Sequence, residues 1–125
     1  MKEVRPTTGK TLGALFSILG PLQGTAFLDL FSGTGRVAKE ARSRGASVVT
    51  VELVRERCLA IRKDLGERDH LQLCMDVRRA LSWLEKKGMA FDVIFADPPY
   101  EMKWMETLPA LLGAHSKLLK DGGVV

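Results

Sequence analysis

At 125 residues, 46% hydrophobic and 27% charged, the chain has ordinary soluble globular composition and suits one domain with one core. No apolar run approaches a membrane span, and Met1-Lys-Glu-Val-Arg-Pro lacks the apolar core of a signal peptide, so a cytoplasmic protein with no membrane contact is expected. The net charge of +4 permits a nucleic-acid partner without demanding one, because the basic residues are spread over the polar faces of predicted helices.

In chain order, Leu12, Leu15, Phe16 and Leu19 recur at helical spacing, with Thr7 or Thr8 available as a cap and Gly20-Pro21 as a stop. Ala26 to Phe31 reads as a short buried strand. Gly33-Thr-Gly-Arg then opens a helix with Val37, Ala38 and Ala41 on its apolar side, ended by Gly45. Ser47 to Val51 is a β-branched strand closed by Glu52. Val54, Cys58, Ile61 and Leu65 mark the next helix, and Leu71 to Cys74 a third strand. Val77, Ala80, Leu81 and Leu84 give an amphipathic helix ended by Lys86-Lys87-Gly88. Phe91 to Ala96 is a fourth strand, a helix follows over about Lys103 to Leu112 against the local conflict of Pro109, and Gly122 to Val125 begins a fifth strand. The two cysteines read as small buried thiols rather than a disulfide or a metal site, and His70 and His115 lack ligand spacing, so no metal is expected.

Apolar strands alternating with helices imply a doubly wound, mostly parallel α/β sheet of Rossmann-like type, covered on both faces. Such sheets bind ligands outside the carboxyl ends of their strands. Residues with chemical potential fall at those ends: Asp29 to Gly35, Glu52, Asp76, and Asp97 to Tyr100. Gly33-x-Gly35-x-x-Ala38 at a strand-to-helix turn allows close backbone approach and favours an anionic group, and Glu52 can accept hydrogen bonds from ribose hydroxyls. A nucleoside-bearing cofactor is therefore expected. Asp29 would repel the pyrophosphate of a dinucleotide but suits an ammonium group, which favours S-adenosylmethionine. Asp76 can accept from an adenine amino group or cap the helix beginning near Val77.

Asp97-Pro98-Pro99-Tyr100 is the more specific signal. The prolines fix φ and remove two backbone donors, so Asp97 and the Pro98 carbonyl can both accept from one exocyclic amine while Tyr100 stacks on the base that carries it. Such a pair aligns a poorly nucleophilic amine for attack, which makes catalysis largely positioning and electrostatics.

Together, "FLDLFSGTGRVAKEARSRGA", "VVTVE" and "DVIFADPPY", preceded by "RPTT", resemble the bacterial RsmD-type 16S rRNA (guanine-N2)-methyltransferases, a class I S-adenosylmethionine-dependent family; the likeness runs from Arg5 to Val125. "DPPY" is shared with DNA adenine-N6 and cytosine-N4 methyltransferases; "RPTT", one helix and then the glycine loop favour the RNA family. The resemblance implies that Asp29, Phe31, Gly33 and Gly35 line the methionine part of the cofactor, that Glu52 holds the ribose and Asp76 with Val77 the adenine, and that Ser32 and Leu53 also bind the cofactor. It implies that Asp97, Pro98, Pro99 and Tyr100 hold the guanine, and that Arg5, Pro6 and Thr7 belong to a segment closing over both. Residues 1–20 would be that segment and its helix, and 24–125 the core. The implied partner is ribosomal RNA or a small-subunit assembly intermediate. Gly9 to Leu19 departs from the charged helix start usual in the family, which puts substrate contacts there in doubt. The chain stops inside the fifth strand where a full class I fold would continue, so a truncated protein or a piece of one is expected, with an exposed edge favouring oligomers or low stability. Rival functions are amino methylation of DNA or another RNA, a dinucleotide-dependent dehydrogenase, and an inactive nucleic-acid-binding remnant.

Overall fold

The computed structural model describes residues 9–98 and 102–124, with side chains over 12–98 and 107–120. Helices and strands alternate: α1 (Gly9–Leu19), β1 (Ala26–Leu30), α2 (Arg36–Ser43), β2 (Ser47–Glu52), α3 (Arg55–Leu65), β3 (His70–Cys74), α4 (Val77–Lys86), β4 (Phe91–Ala96), α5 (Met102–Ala114), a 3₁₀ turn (Ser116–Leu118) and β5 (Leu119–Val124). The strands form one sheet in the order β3-β2-β1-β4-β5, and every neighbouring pair is parallel. Parallel strands need crossover helices, and those helices bury both faces, which is why β1 and β2 carry apolar runs rather than alternating polarity.

Two cores result. On one face Phe27 and Val48 pack with Leu12 and Phe16 of α1, Val37 and Ala41 of α2, and Ile61 and Leu65 of α3. On the other, Leu28, Leu30, Val49 and Val51 pack with Ala80, Leu81 and Leu84 of α4, joined by Phe91, Ile94 and Leu118. The progression of strands across the sheet reverses between β1 and β4, the switch point at which such folds open a crevice at the carboxyl ends of their strands. Asp29 pairs in register with Thr50 and Phe95, so the ends of β2, β1 and β4 lie side by side.

The elements match the sequence expectation, with differences at three ends. Phe31 leaves β1 in a left-handed conformation, φ 59°, instead of extending it. Strand β5 begins at Leu119 rather than Gly122: it pairs beside Phe91, and Lys120 bonds Asp92 across the pair, so its polar start is accommodated at the sheet edge. Helix α5 runs on to Ala114 and holds Pro109 in its interior, where that residue is exposed. Among the described residues no helix is long and apolar enough to cross a membrane.

Candidate active site

The loop from β1 to α2 is wound tightly by positive φ at Phe31, Gly33 and Gly35. A bulky side chain rarely adopts such a conformation, and here it turns Phe31 into the wall of a cleft. Hydrogen bonds hold the loop from three sides. The Ser32 amide donates to the Val51 carbonyl at 2.9 Å, the Ser32 hydroxyl donates to the Asp29 carbonyl at 2.9 Å, and the Gly35 amide closes a turn onto the Ser32 carbonyl at 2.8 Å. Gly35 also lies against α3: a Cβ there would stand 3.0 Å from Ile61 Cγ1. This glycine therefore sets helix packing as well as loop shape.

Glu52 joins the loop to the next element. Its Oε1 accepts from the Gly33 amide at 2.7 Å and its Oε2 from the Val54 amide at 3.0 Å, with Arg57 Nη1 3.5 Å from Oε2. The side chain is buried, yet each carboxylate oxygen keeps acceptor capacity for a hydroxyl. Asp76 caps α4, its Oδ1 accepting from the Arg78 amide at 2.9 Å, so the capping reading of the sequence holds.

Asp29 is 1% exposed, and neither of its carboxylate oxygens has a hydrogen-bond partner among the described residues. Burial pushes its pKa up to about 8; the nearby polar groups of Ser32 and Ala38 offset part of the rise, and the charges of Glu52 and Asp97 add to it. An orphaned buried acid is costly and calls for a cationic partner.

Phe31, Gly33, Glu52, Leu53, Asp76, Val77 and Asp97 line one cleft with a cavity volume of ≈ 140 Å³ that opens to solvent. Asp29 lies inside β1 and Ser32 and Gly35 are buried in the loop, all three outside the cleft lining, and Pro98 is half-buried just beyond Asp97. Pro99, Tyr100, Arg5, Pro6 and Thr7 lie outside the described residues. The cleft also contains Val51, Val54, Arg57 and Met75, which sequence reasoning missed. Met75 had a signal in its place beside Asp76, whereas Arg57 reaches Glu52 across the turn between β2 and α3.

One sequence expectation is overturned. Cys58 and Cys74 are joined as a disulfide, Cα–Cα 5.9 Å, instead of standing as separate thiols. Cys58 falls on the face of α3 that meets the end of β3, and a sequence separation of 16 conceals that adjacency.

Among doubly wound folds, a sheet in this order whose cleft is walled by a glycine loop after β1 and an acid after β2 has the Rossmann-like architecture of the class I methyltransferases. Comparison with known proteins narrows the assignment. The chain belongs to the RsmD-type methyltransferase family: it matches the family described as "Conserved hypothetical protein 95" over residues 1–125. It is similar to "Putative rRNA methyltransferase YlbH" of Bacillus subtilis, 33% identical over 138 residues, covering 98% of this chain and 70% of that protein. "Ribosomal RNA small subunit methyltransferase D" of Escherichia coli K12 is 32% identical over 122 residues, covering 96% of this chain and 58% of the relative. A hypothetical protein of Thermus thermophilus has a similar structure, with a TM-score of 0.80 at 31% identity over 93% of this chain and 69% of the other. The chain thus spans between a little over half and about two-thirds of the length of these relatives.

Proposed function

We propose that the chain holds S-adenosylmethionine in the cleft and methylates the exocyclic N2 amine of a guanine in 16S ribosomal RNA. The supporting observation is that Asp97 lines the same cleft as Glu52 and Asp76, so an acceptor for an amine shares one opening with acceptors for a nucleoside. Membership of the RsmD-type family supports ribosomal RNA as the substrate class, and one relative is named "Ribosomal RNA small subunit methyltransferase D".

The residues fit the cofactor. Asp29, buried just behind the cleft lining and without a partner among the described residues, would take its amino group as the glycine loop yields; Glu52 takes the ribose hydroxyls; Val77 flanks the adenine, and Asp76 accepts from its amino group. Bound there, S-adenosylmethionine supplies an electrophilic methyl group on a sulfonium sulfur. The lone pair of an amine on a purine ring is delocalised, so the protein must align it. Asp97 and the Pro98 carbonyl accept the two amine hydrogens, Pro99 contributes no competing N–H, and Tyr100 stacks on the base. As the nitrogen gains the methyl carbon it sheds a proton, which Asp97 accepts.

The test is mass spectrometry of 16S ribosomal RNA nucleosides from cells with and without the gene. N2-methylguanosine falls by one residue per ribosome on deletion and returns with the wild-type chain but not with Asp97→Ala. Unchanged nucleosides would exclude this substrate.

A further inference from the structure

We propose that Cys58 and Cys74 form a thiol–disulfide exchange site whose partner is a dithiol, and that the state of this bond sets how firmly the adjoining cleft grips a nucleoside. The second half rests on the cofactor reading above, and the choice of a dithiol as partner on the ribosomal substrate; the exchange site itself rests on neither.

The bond joins the two walls of one end of the cleft. Cys58 lies in α3 one residue beyond Arg57, and the turn leading into that helix contributes Leu53 and Val54 to the lining. Cys74 ends β3 and is followed directly by Met75, Asp76 and Val77, which form the facing wall. The cross-link therefore holds α3, with Arg57, at a fixed distance from the wall of Met75, Asp76 and Val77, in addition to the Glu52–Cys74 register that joins β2 to β3. The pair is also asymmetric: Cys58 is buried, whereas Cys74 is exposed. An incoming thiolate can reach Cys74 and cannot readily reach Cys58.

Exchange is chemically balanced. A thiolate of the dithiol attacks Cys74 Sγ, the S–S bond breaks, and Cys58 Sγ leaves with the bonding electrons and takes up a proton. The second thiol of the partner then attacks the mixed disulfide, releasing Cys74 as a thiol and leaving the partner oxidised to its disulfide. The chain gains two electrons and two protons, and a partner disulfide reverses the sequence. The reduced state is already provided for: Cys58 Sγ lies 3.2 Å from the Glu52 carbonyl oxygen, an acceptor for the S–H once the bond is open. A ribosomal substrate would keep the chain among the dithiols of a cell interior, where disulfides that persist are usually transient or redox-sensing.

The full chain, either oxidised with a glutathione disulfide buffer or reduced with dithiothreitol, is assayed by thiol titration, by intact mass for the two added hydrogens, and by calorimetric titration with adenosylhomocysteine. The oxidised chain shows no free thiol and binds at least about threefold more tightly than the reduced chain, because its walls are already spaced. Cys74→Ser holds the reduced affinity under both conditions. Free thiols that persist in the oxidising buffer overturn the exchange site, and equal affinities in two verified redox states overturn its coupling to the cleft. If neither state binds adenosylhomocysteine, the cofactor reading and the coupling fall together, while the thiol count still decides the exchange.

Discussion

Replacing Asp29 with asparagine tests the cleft at its most strained point. The carboxyl has no partner among the described residues, and burial pushes its pKa from the ordinary 3.8 up to about 8. Because its folded pKa lies above its unfolded value, the native state keeps a proton that the unfolded chain has lost across that interval. Its contribution is therefore intact below about pH 4 and drains away as pH rises to about 8. A gap of about 4 units at about 1.4 kcal/mol each puts the cost of ionising Asp29 in the free protein on the order of 5 kcal/mol. Asparagine keeps the shape and removes that charge. Thermal melts of Asp29→Asn should match wild type near pH 4 and exceed it by more than about 10 °C at pH 8. The same acid links cofactor binding to pH. An ammonium group needs the ionised form, so adenosylhomocysteine binding at pH 7 should release protons from wild type. Calorimetry in two buffers of different ionisation heat measures them; Asp29→Asn should release none and bind at least about tenfold more weakly. A variant with the wild-type pH slope, or a wild-type complex that releases no proton, would refute the argument.

The cleft makes further predictions. Asp97→Ala should lower kcat by at least about a hundredfold while cofactor affinity stays within about tenfold, read by methyl transfer to ribosomal RNA and by adenosylhomocysteine titration. Glu52→Ala should act in the opposite sense, raising the KM for S-adenosylmethionine by about tenfold or more with a smaller change in kcat, since it removes binding common to ground and transition states. Gly45→Ala probes packing far from chemistry. Gly45 has φ +97°, and a Cβ there would meet the Gln23 Cα at 2.9 Å, so urea unfolding should show a loss of about 2 kcal/mol or more.

The sheet was legible because its strands are uniformly apolar: "SVVTV" cannot be half-exposed without wasting valines, and it is buried from Val48 onward. The rim was legible because Asp29, Glu52, Asp76 and Asp97 each interrupt or follow such a run, and acids there are unexplained by packing alone. What escaped the sequence depends on separation in space. No local pattern reports that α3 brings Cys58 to Cys74, or that Arg57 returns to Glu52 across a turn. Phe31 escaped because an aromatic after an apolar strand reads as more strand, whereas it opens a loop, fastened by the hydrogen bonds of Ser32 and Gly35, in left-handed geometry. The fifth strand read from Gly122 in the sequence, whereas it starts at Leu119, because a sheet edge tolerates a charge such as Lys120 that a central strand does not.

Glu52 carries one more implication, for motion. A single carboxylate latches the amides of both Gly33 and Val54, which belong to separate connections in the chain. Neither connection can peel away without unseating the other's fastening, so the two amide protons should trade with deuterium in step. The rim should breathe as one flap rather than two, and losing the Glu52 side chain would let each flutter alone.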